Sequence, residues 1–279
     1  MYKINNMLLN FTKMQGLGND FIIIDNIDGK LSFNGEQIES LANRRFGIGF
    51  DQLLVVQKSS SADADFRYIV YNSDGSEVSQ CGNGARCIAR YIKENKLSDK
   101  STIKVETNNG LMTLQINDDD SVCVDMGKPN FSPEKIPLLI SQEKLFYSIE
   151  GFELGALSIG NPHCVLTLDD IASIDIENDA IKIQQNELLP EGANIGFMQI
   201  ISRKEINLRV YERGAGETLA CGSGACAAVI HGINTGKLDN TVNANLTGGM
   251  AVIEYRDNGH VYLSGPAEFV FNGKIEINI

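Results

Sequence analysis

Tryptophan is absent from this 279-residue sequence, proline occurs 6 times and histidine 3 times. With 43% hydrophobic and 22% charged residues, so little proline excludes a collagen-like or disordered chain. Basic side chains are outnumbered: 24 Lys and Arg face 36 Asp and Glu, a net charge of −12. A chain of that sign has no general attraction for a polyanion, so no nucleic-acid partner is expected. The densest basic stretch, Arg86, Arg90 and Lys93, has helical spacing and is expected to form a solvated helix edge. No apolar run approaches the roughly 20 residues needed to cross a bilayer. The longest, such as Phe21 to Ile24, are strand-sized, so no membrane partner is expected. Met1 to Met7 holds one Lys and no apolar stretch of signal-peptide length, which points to a cytoplasmic protein. No Cys-x-x-Cys pair, Gly-Lys-Ser/Thr loop or dinucleotide fingerprint occurs. Zinc knuckles, thioredoxin-like redox chemistry and P-loop nucleotide binding are thereby excluded.

There are 6 cysteines: Cys81, Cys87, Cys123, Cys164, Cys221 and Cys226. In a long chain without an export signal they are expected to be reduced thiols. The length is more than one typical core fills, so one large or two medium domains are expected.

Laid over each other, the two halves repeat. Val70-Tyr71 followed by Cys81-Gly-Asn-Gly-Ala85 matches Val210-Tyr211 followed by Cys221-Gly-Ser-Gly-Ala225, without a gap, and pairs Glu77 with Glu217. Gly18-Asn19 heads an apolar strand, as Gly160-Asn161 does. Ile48-Gly-Phe50 with Gln52 resembles Ile195-Gly-Phe197 with Gln199. Three matches in the same order imply an internal duplication. The domains are expected at 9–125 and 126–266, with the strand at about 267–279 packing back onto the first. The junction falls where Gly127, Pro129 and Pro133 cluster.

Strands are predicted at 53–57, 66–71, 102–106, 111–116, 165–168, 206–211, 251–255 and 260–263. Helices are predicted at 35–45, with Asn34 as N-cap, at 83–95 and at 223–234. Strands outnumber helices, and the fold class is α+β.

The two Cys-Gly-x-Gly-Ala segments carry the chemistry. Glycines on both sides of a variable residue allow a tight turn and close approach of a ligand. A helix start then follows, whose free N–H groups form an anion site suited to a carboxylate. The same partial charge favours a reactive thiolate at the helix entry. Two such thiols facing one cleft would place an acid/base on each face of a bound carbon, the arrangement that inverts a stereocentre. Glu77 and Glu217 are either acids near the thiols or buried partners for turn N–H groups. Cys87, Cys123, Cys164 and Cys226 read as small packing residues.

The motifs Met14-Gln-Gly-Leu-Gly-Asn-Asp-Phe21, Gly47-Ile-Gly-Phe-Asp-Gln52, Asn72-Ser-Asp-Gly-Ser-Glu77 and Cys81-Gly-Asn-Gly-Ala-Arg-Cys87 resemble the first half of diaminopimelate epimerase. Gly160-Asn-Pro-His-Cys164, Asn194-Ile-Gly-Phe197, Glu212-Arg-Gly-Ala-Gly-Glu217 and Cys221-Gly-Ser-Gly-Ala-Cys226 resemble its second half. The resemblance runs from about Phe11 to the C-terminus. It implies two pseudo-symmetric domains, each with strands wrapped around a central helix. It also implies interconversion of LL- and meso-diaminopimelate, a step toward lysine and peptidoglycan precursors, with no pyridoxal phosphate, metal or other cofactor, in a homodimer. By resemblance Cys81 and Cys221 are the acid/base thiols, and His163 and Glu212 support proton transfer. Gly82, Asn83, Gly222 and Ser223 cradle the carboxylate of the centre being inverted. Asn72, Asn161, Asn194, Glu212 and Arg213 read the substrate's polar ends, and Asn19 and Gln52 are further binding positions. Arg213 has the planar fork suited to a distal carboxylate.

Two other functions fit parts of this pattern. A racemase for another amino acid, such as proline, would share the paired thiols but not need the set that reads a distant charged end. A cleft-type amino-acid-binding protein would explain a carboxylate cradle but has no use for the thiols.

Overall fold

A computed structural model of the chain describes residues 6–78 and 81–278. The chain forms two compact units, the first running to Val124 and resuming at Pro266, the second Asp125–Gly265.

In the first unit β1 (Asn6–Gly16) pairs antiparallel with β2 (Asn19–Asp25), and β2 runs parallel to β3 (Gln52–Lys58) across helix α1 (Gly35–Ala42). β3 turns back into β4 (Phe66–Asn72), which carries the short edge strand β5 (Glu77–Val78). Helix α2 (Gly82–Glu94) then crosses to β6 (Thr102–Thr107), parallel to β4, and β7 (Gly110–Ile116) and β8 (Val122–Asp125) follow as a meander. Strand β1 begins at Asn6, ahead of the residue-9 start read from the sequence.

The second unit repeats this plan. After β9 (Tyr147–Ile149) come β10 (Phe152–Ser158) and β11 (Pro162–Thr167), antiparallel, with β11 parallel to β12 (Asn194–Ser202) across α3 (Ile176–Gln184). β13 (Glu205–Glu212) pairs with the edge strand β14 (Gly216–Thr218) and leads through α4 (Gly222–Asn234) to β15 (Thr241–Leu246), which lies parallel to β13. β16 (Gly249–Tyr255) and β17 (Val261–Gly265) close the unit. The last strand, β18 (Glu268–Asn278), returns to the first unit beside β1. The parallel and antiparallel pairings follow one another identically in the two units.

Strand register corrects one of the repeat matches. Phe21 stands opposite Gln52, and Leu53 opposite Tyr71. In the second unit His163 stands opposite Asn194, and Ile195 opposite Tyr211. The counterpart of Gln52 is therefore Asn194, not Gln199. Gln199 lies further along β12, bonded to Asn207 and to the carbonyl of Asp169. By the same register Asn72 matches Glu212.

Each unit is built on a buried helix. α2 packs on β1, β2, β3 and β7, and α4 touches β10 to β13 and β15 to β17. Ala225, Ala227 and Ala228 are fully buried, so small side chains bring α4 close to its strands. Each larger buried residue, such as Ile88 or Ile92, adds about 1.5–3 kcal/mol of apolar transfer. α1 starts where predicted: Asn34 and Gln37 form a reciprocal capping box. It stops at Ala42 rather than Arg45, because Asn43 Oδ1 accepts the N–H groups of Arg45 and Phe46. The turn needs Gly47, where a Cβ would lie 2.2 Å from the carbonyl oxygen of Ser40.

The solvated helix edge expected at Arg86, Arg90 and Lys93 is also corrected. Arg86 is fully buried, and its Nε donates to the carbonyl of Pro266 at 3.0 Å. The residue ties the returning C-terminal segment to α2. Arg90 and Lys93 do reach solvent and pair with Asp120.

Candidate active site

Cys81 is the N-cap of α2, and its Sγ accepts the N–H of Gly84 at 3.4 Å. Gly82 and Asn83 form the first turn, where N–H groups lack intrahelical acceptors and suit an anion. Gly84 must be glycine: a Cβ there would lie 2.5 Å from the Tyr68 hydroxyl, which donates to the Cys81 carbonyl at 3.2 Å. Asn19, at the start of β2, turns its Oδ1 to Asn83 Nδ2 (3.3 Å) and Cys81 Sγ (3.9 Å). Gln52 opens β3 and donates from Nε2 to Oδ1 of Asn72, its register partner, at 3.0 Å. The ends of β2, β3 and β4 and the start of α2 thus bring all five first-unit side chains into two bonded groups.

Cys221 is the N-cap of α4, with Gly222 and Ser223 in the first turn. Its Sγ lies 3.7 Å from Ser223 Oγ. Burial pushes this thiol well above its ordinary range, and the charge of Glu212 pushes the same way. The low-pKa thiolate expected at a helix entry is therefore not found here: at 4% exposure desolvation outweighs the helix N-terminus, and Cys221 is a protonated thiol. Glu212, ending β13, also accepts from the Thr218 hydroxyl at 2.6 Å. His163 is buried on β11, and burial lowers it to about 3, so it is neutral. Its Nε2 lies 2.9 Å from Asn161 Oδ1. Asn194 opens β12 opposite His163 and accepts the N–H of Arg213 at 2.8 Å. The Arg213 guanidinium is exposed and donates to the carbonyl of Glu191 at 2.8 Å.

Glu77 and Glu217 are neither buried nor bonded to turn N–H groups. Both are exposed on the edge strands, where Glu77 accepts from Asn108 and Glu217 grips Arg209 at 2.7 and 2.9 Å. Cys87 and Cys164 are buried, and burial pushes each up to about 12, which makes them inert packing thiols. Among the described residues no group of three His, Cys, Asp or Glu is arranged to hold a metal ion. No helix among them is long and apolar enough to cross a membrane. Sequence reasoning passed over Asp51, which accepts from the Asn19 side chain, and Asp20, whose N–H Asp51 also accepts; their place in the motifs Asn19-Asp20 and Asp51-Gln52 was the available signal.

Solved structures with this fold include epimerases and their relatives. A hydroxyproline epimerase from Agrobacterium vitis matches with a TM-score of 0.72 at 12% identity, covering 97% of this chain and 92% of that one. A phenazine biosynthesis protein of the PhzF family from Bacillus anthracis matches with a TM-score of 0.67 at 18% identity, covering 97% and 100%. These fix the class as a two-domain α+β fold. The diaminopimelate epimerase family model matches residues 11–132 and 155–270. A diaminopimelate epimerase from Vesicomyosocius okutanii subsp. Calyptogena okutanii is 60% identical over 271 residues, 97% of this chain and 100% of that protein. The chain belongs to the diaminopimelate epimerase family, and so to the isomerases.

Proposed function

We propose that the protein epimerises LL-diaminopimelate to meso-diaminopimelate, a step toward lysine and peptidoglycan precursors, without pyridoxal phosphate or metal. The observation that carries this reading is the repeated N-cap thiol, Cys81 and Cys221, each heading a buried helix in a chain of this family. One thiolate takes the α-proton: the C–H bond breaks and an S–H bond forms. The other thiol gives its own proton to the opposite face, and its sulfur is left as thiolate. Cys221, held protonated by burial and by Glu212, is equipped to give that proton. The N–H groups of Gly82, Asn83, Gly222 and Ser223 take the carboxylate of the inverted centre. Asn72, Asn161, Asn194, Glu212 and Arg213 read the other polar ends, and Asn19 and Gln52 complete the first unit's contribution. His163, neutral and bonded to Asn161, supports proton transfer together with Glu212.

Apolar Leu8, Phe269, Val270 and Phe271 are about half exposed on the β1–β18 ribbon, the kind of surface a subunit interface covers. It supports a homodimer, which sedimentation at twice the monomer mass would reveal. A cytoplasmic location accords with the substrate.

The test is conversion of LL-diaminopimelate by protein stripped of pyridoxal phosphate and metals. Full activity is expected; activity restored only by adding either back would overturn the reading.

A further inference from the structure

Asn19 and Asn161 occupy equivalent places, each after a glycine in the left-handed region, Gly18 at φ 83° and Gly160 at φ 86°. Their amides are held from opposite ends. Asn19 donates from Nδ2 to Asp51 Oδ2 at 2.9 Å. A carboxylate can only accept, so the NH2 must face Asp51 and the amide oxygen must face away. That oxygen accepts from Asn83 Nδ2 and faces Cys81 Sγ. At Asn161 it is the oxygen that is held, by Nε2 of a neutral His163, which must carry the proton it donates.

Asp51 is itself braced. Its Oδ2 accepts the N–H of Asp20 at 3.1 Å and its Oδ1 accepts Arg44 Nη2 at 2.8 Å. Arg44 grips Asp20 with two nitrogens, at 2.9 and 2.6 Å, and buried Lys13 donates to Asp20 and to the carbonyl of Gly49. Burial pushes the Asp20 carboxyl up, but hydrogen bonds from Arg44 and Lys13 outweigh it and hold it at about 2. Asp20 therefore stays a carboxylate at neutral pH and keeps its hold on Arg44 and Lys13.

We propose that Asp51 is a positioning residue for Cys81: by holding the NH2 group of Asn19 it makes that amide present an acceptor, not a donor, to the sulfur. An acceptor stabilises S–H relative to thiolate, and a donor would do the reverse. The proposal deepens the reading of Cys81 as an acid/base thiol and rests on it for its catalytic meaning. Among the described residues of the first unit, Tyr68 and Cys87 each feel the charge of Cys81, and Arg86 acts on Cys87. Burial pushes Tyr68 well above its ordinary value and Cys87 up to about 12, and Arg86 is permanently charged.

The test is the pH dependence of Cys81 alkylation by iodoacetamide in substrate-free protein, read on the Cys81 peptide by mass spectrometry. Asp51→Ala frees the Asn19 amide to rotate and offer its NH2 to the thiolate. The alkylation midpoint should fall by roughly half to one pH unit, about 3- to 10-fold faster reaction below the midpoint. Asn19→Ala removes the acceptor and should also lower the midpoint. In the Asn19→Ala background, Asp51→Ala should add nothing. The same fall in that background would mean that Asp51 acts through its charge alone and would overturn the proposal. No shift in Asp51→Ala, or a rise in Asn19→Ala, would overturn it too. Asn19→Ala keeps the proposal falsifiable should Asp51→Ala not fold. Epimerisation is not read, so a wrong substrate assignment would leave these outcomes unchanged.

Discussion

Burial and the negative charge of Glu212 together push the Cys221 thiol well above its ordinary range. Asn72, a neutral amide, stands in the equivalent place of the first unit. Glu212→Gln removes the charge that disfavours a Cys221 thiolate. Alkylation of Cys221 should then begin at lower pH, while epimerisation falls roughly 10²-fold or more as proton transfer loses its support. Unchanged alkylation would separate Glu212 from this thiol.

Cys81→Ser and Cys221→Ser should each cost on the order of 10²–10⁴ in kcat or more, because a hydroxyl is a poor base at neutral pH. Cys87→Ser should cost far less at equal stability, since its thiol is a packing group. Equal losses at Cys81 and Cys87, with both proteins folded, would contradict the assignment of the thiols.

The Cys-Gly-x-Gly-Ala pair was legible because it is contiguous, and its helices begin within a residue of where the pattern places them. The match of Gln52 with Gln199 failed because equivalence between units is set by strand register, which no local likeness encodes. The burial of Arg86 was invisible because its acceptor, the Pro266 carbonyl, arrives from far along the chain. The protonated state of Cys221 was missed for a similar reason. A helix start suggests a thiolate, but the desolvation that decides the matter comes from tertiary packing. Helix α3 was not foreseen, although Asp175 caps it and Ile176, Ala180 and Ile183 bury one face.

Arg213→Lys keeps the charge and loses the two-pronged fork. KM for diaminopimelate should rise, roughly 10-fold for one lost charged hydrogen bond, with kcat little changed. An analogue without the distal carboxylate should bind the parent poorly and lose little more in the variant. Equal losses for both ligands would make Arg213 a structural residue.

Burial holds His163 at about 3 and His231 at about 4, the latter with help from Lys237, against about 6.5 for an exposed histidine. Below pH 6.5 the unfolded chain binds protons that the folded chain refuses. Stability is therefore full above that pH and is lost as pH falls toward 4 and 3. Urea unfolding at a series of pH values should give a free energy that declines from pH 6.5 to 5, by up to about 1.4 kcal/mol per pH unit for each histidine. A flat profile over that interval would show that these side chains take up protons in the folded state.

The central claim is that two thiols work on opposite faces of one α-carbon, one taking a proton and the other giving its own. Early in the reaction of LL-diaminopimelate in heavy water, mass spectrometry of substrate and product separates this from a single-base route. The account predicts one deuterium at the inverted centre of meso-diaminopimelate and almost none in the LL-diaminopimelate recovered beside it. Deuterium appearing in recovered substrate as fast as in product would mean that one group both takes and returns the proton, and would contradict the account.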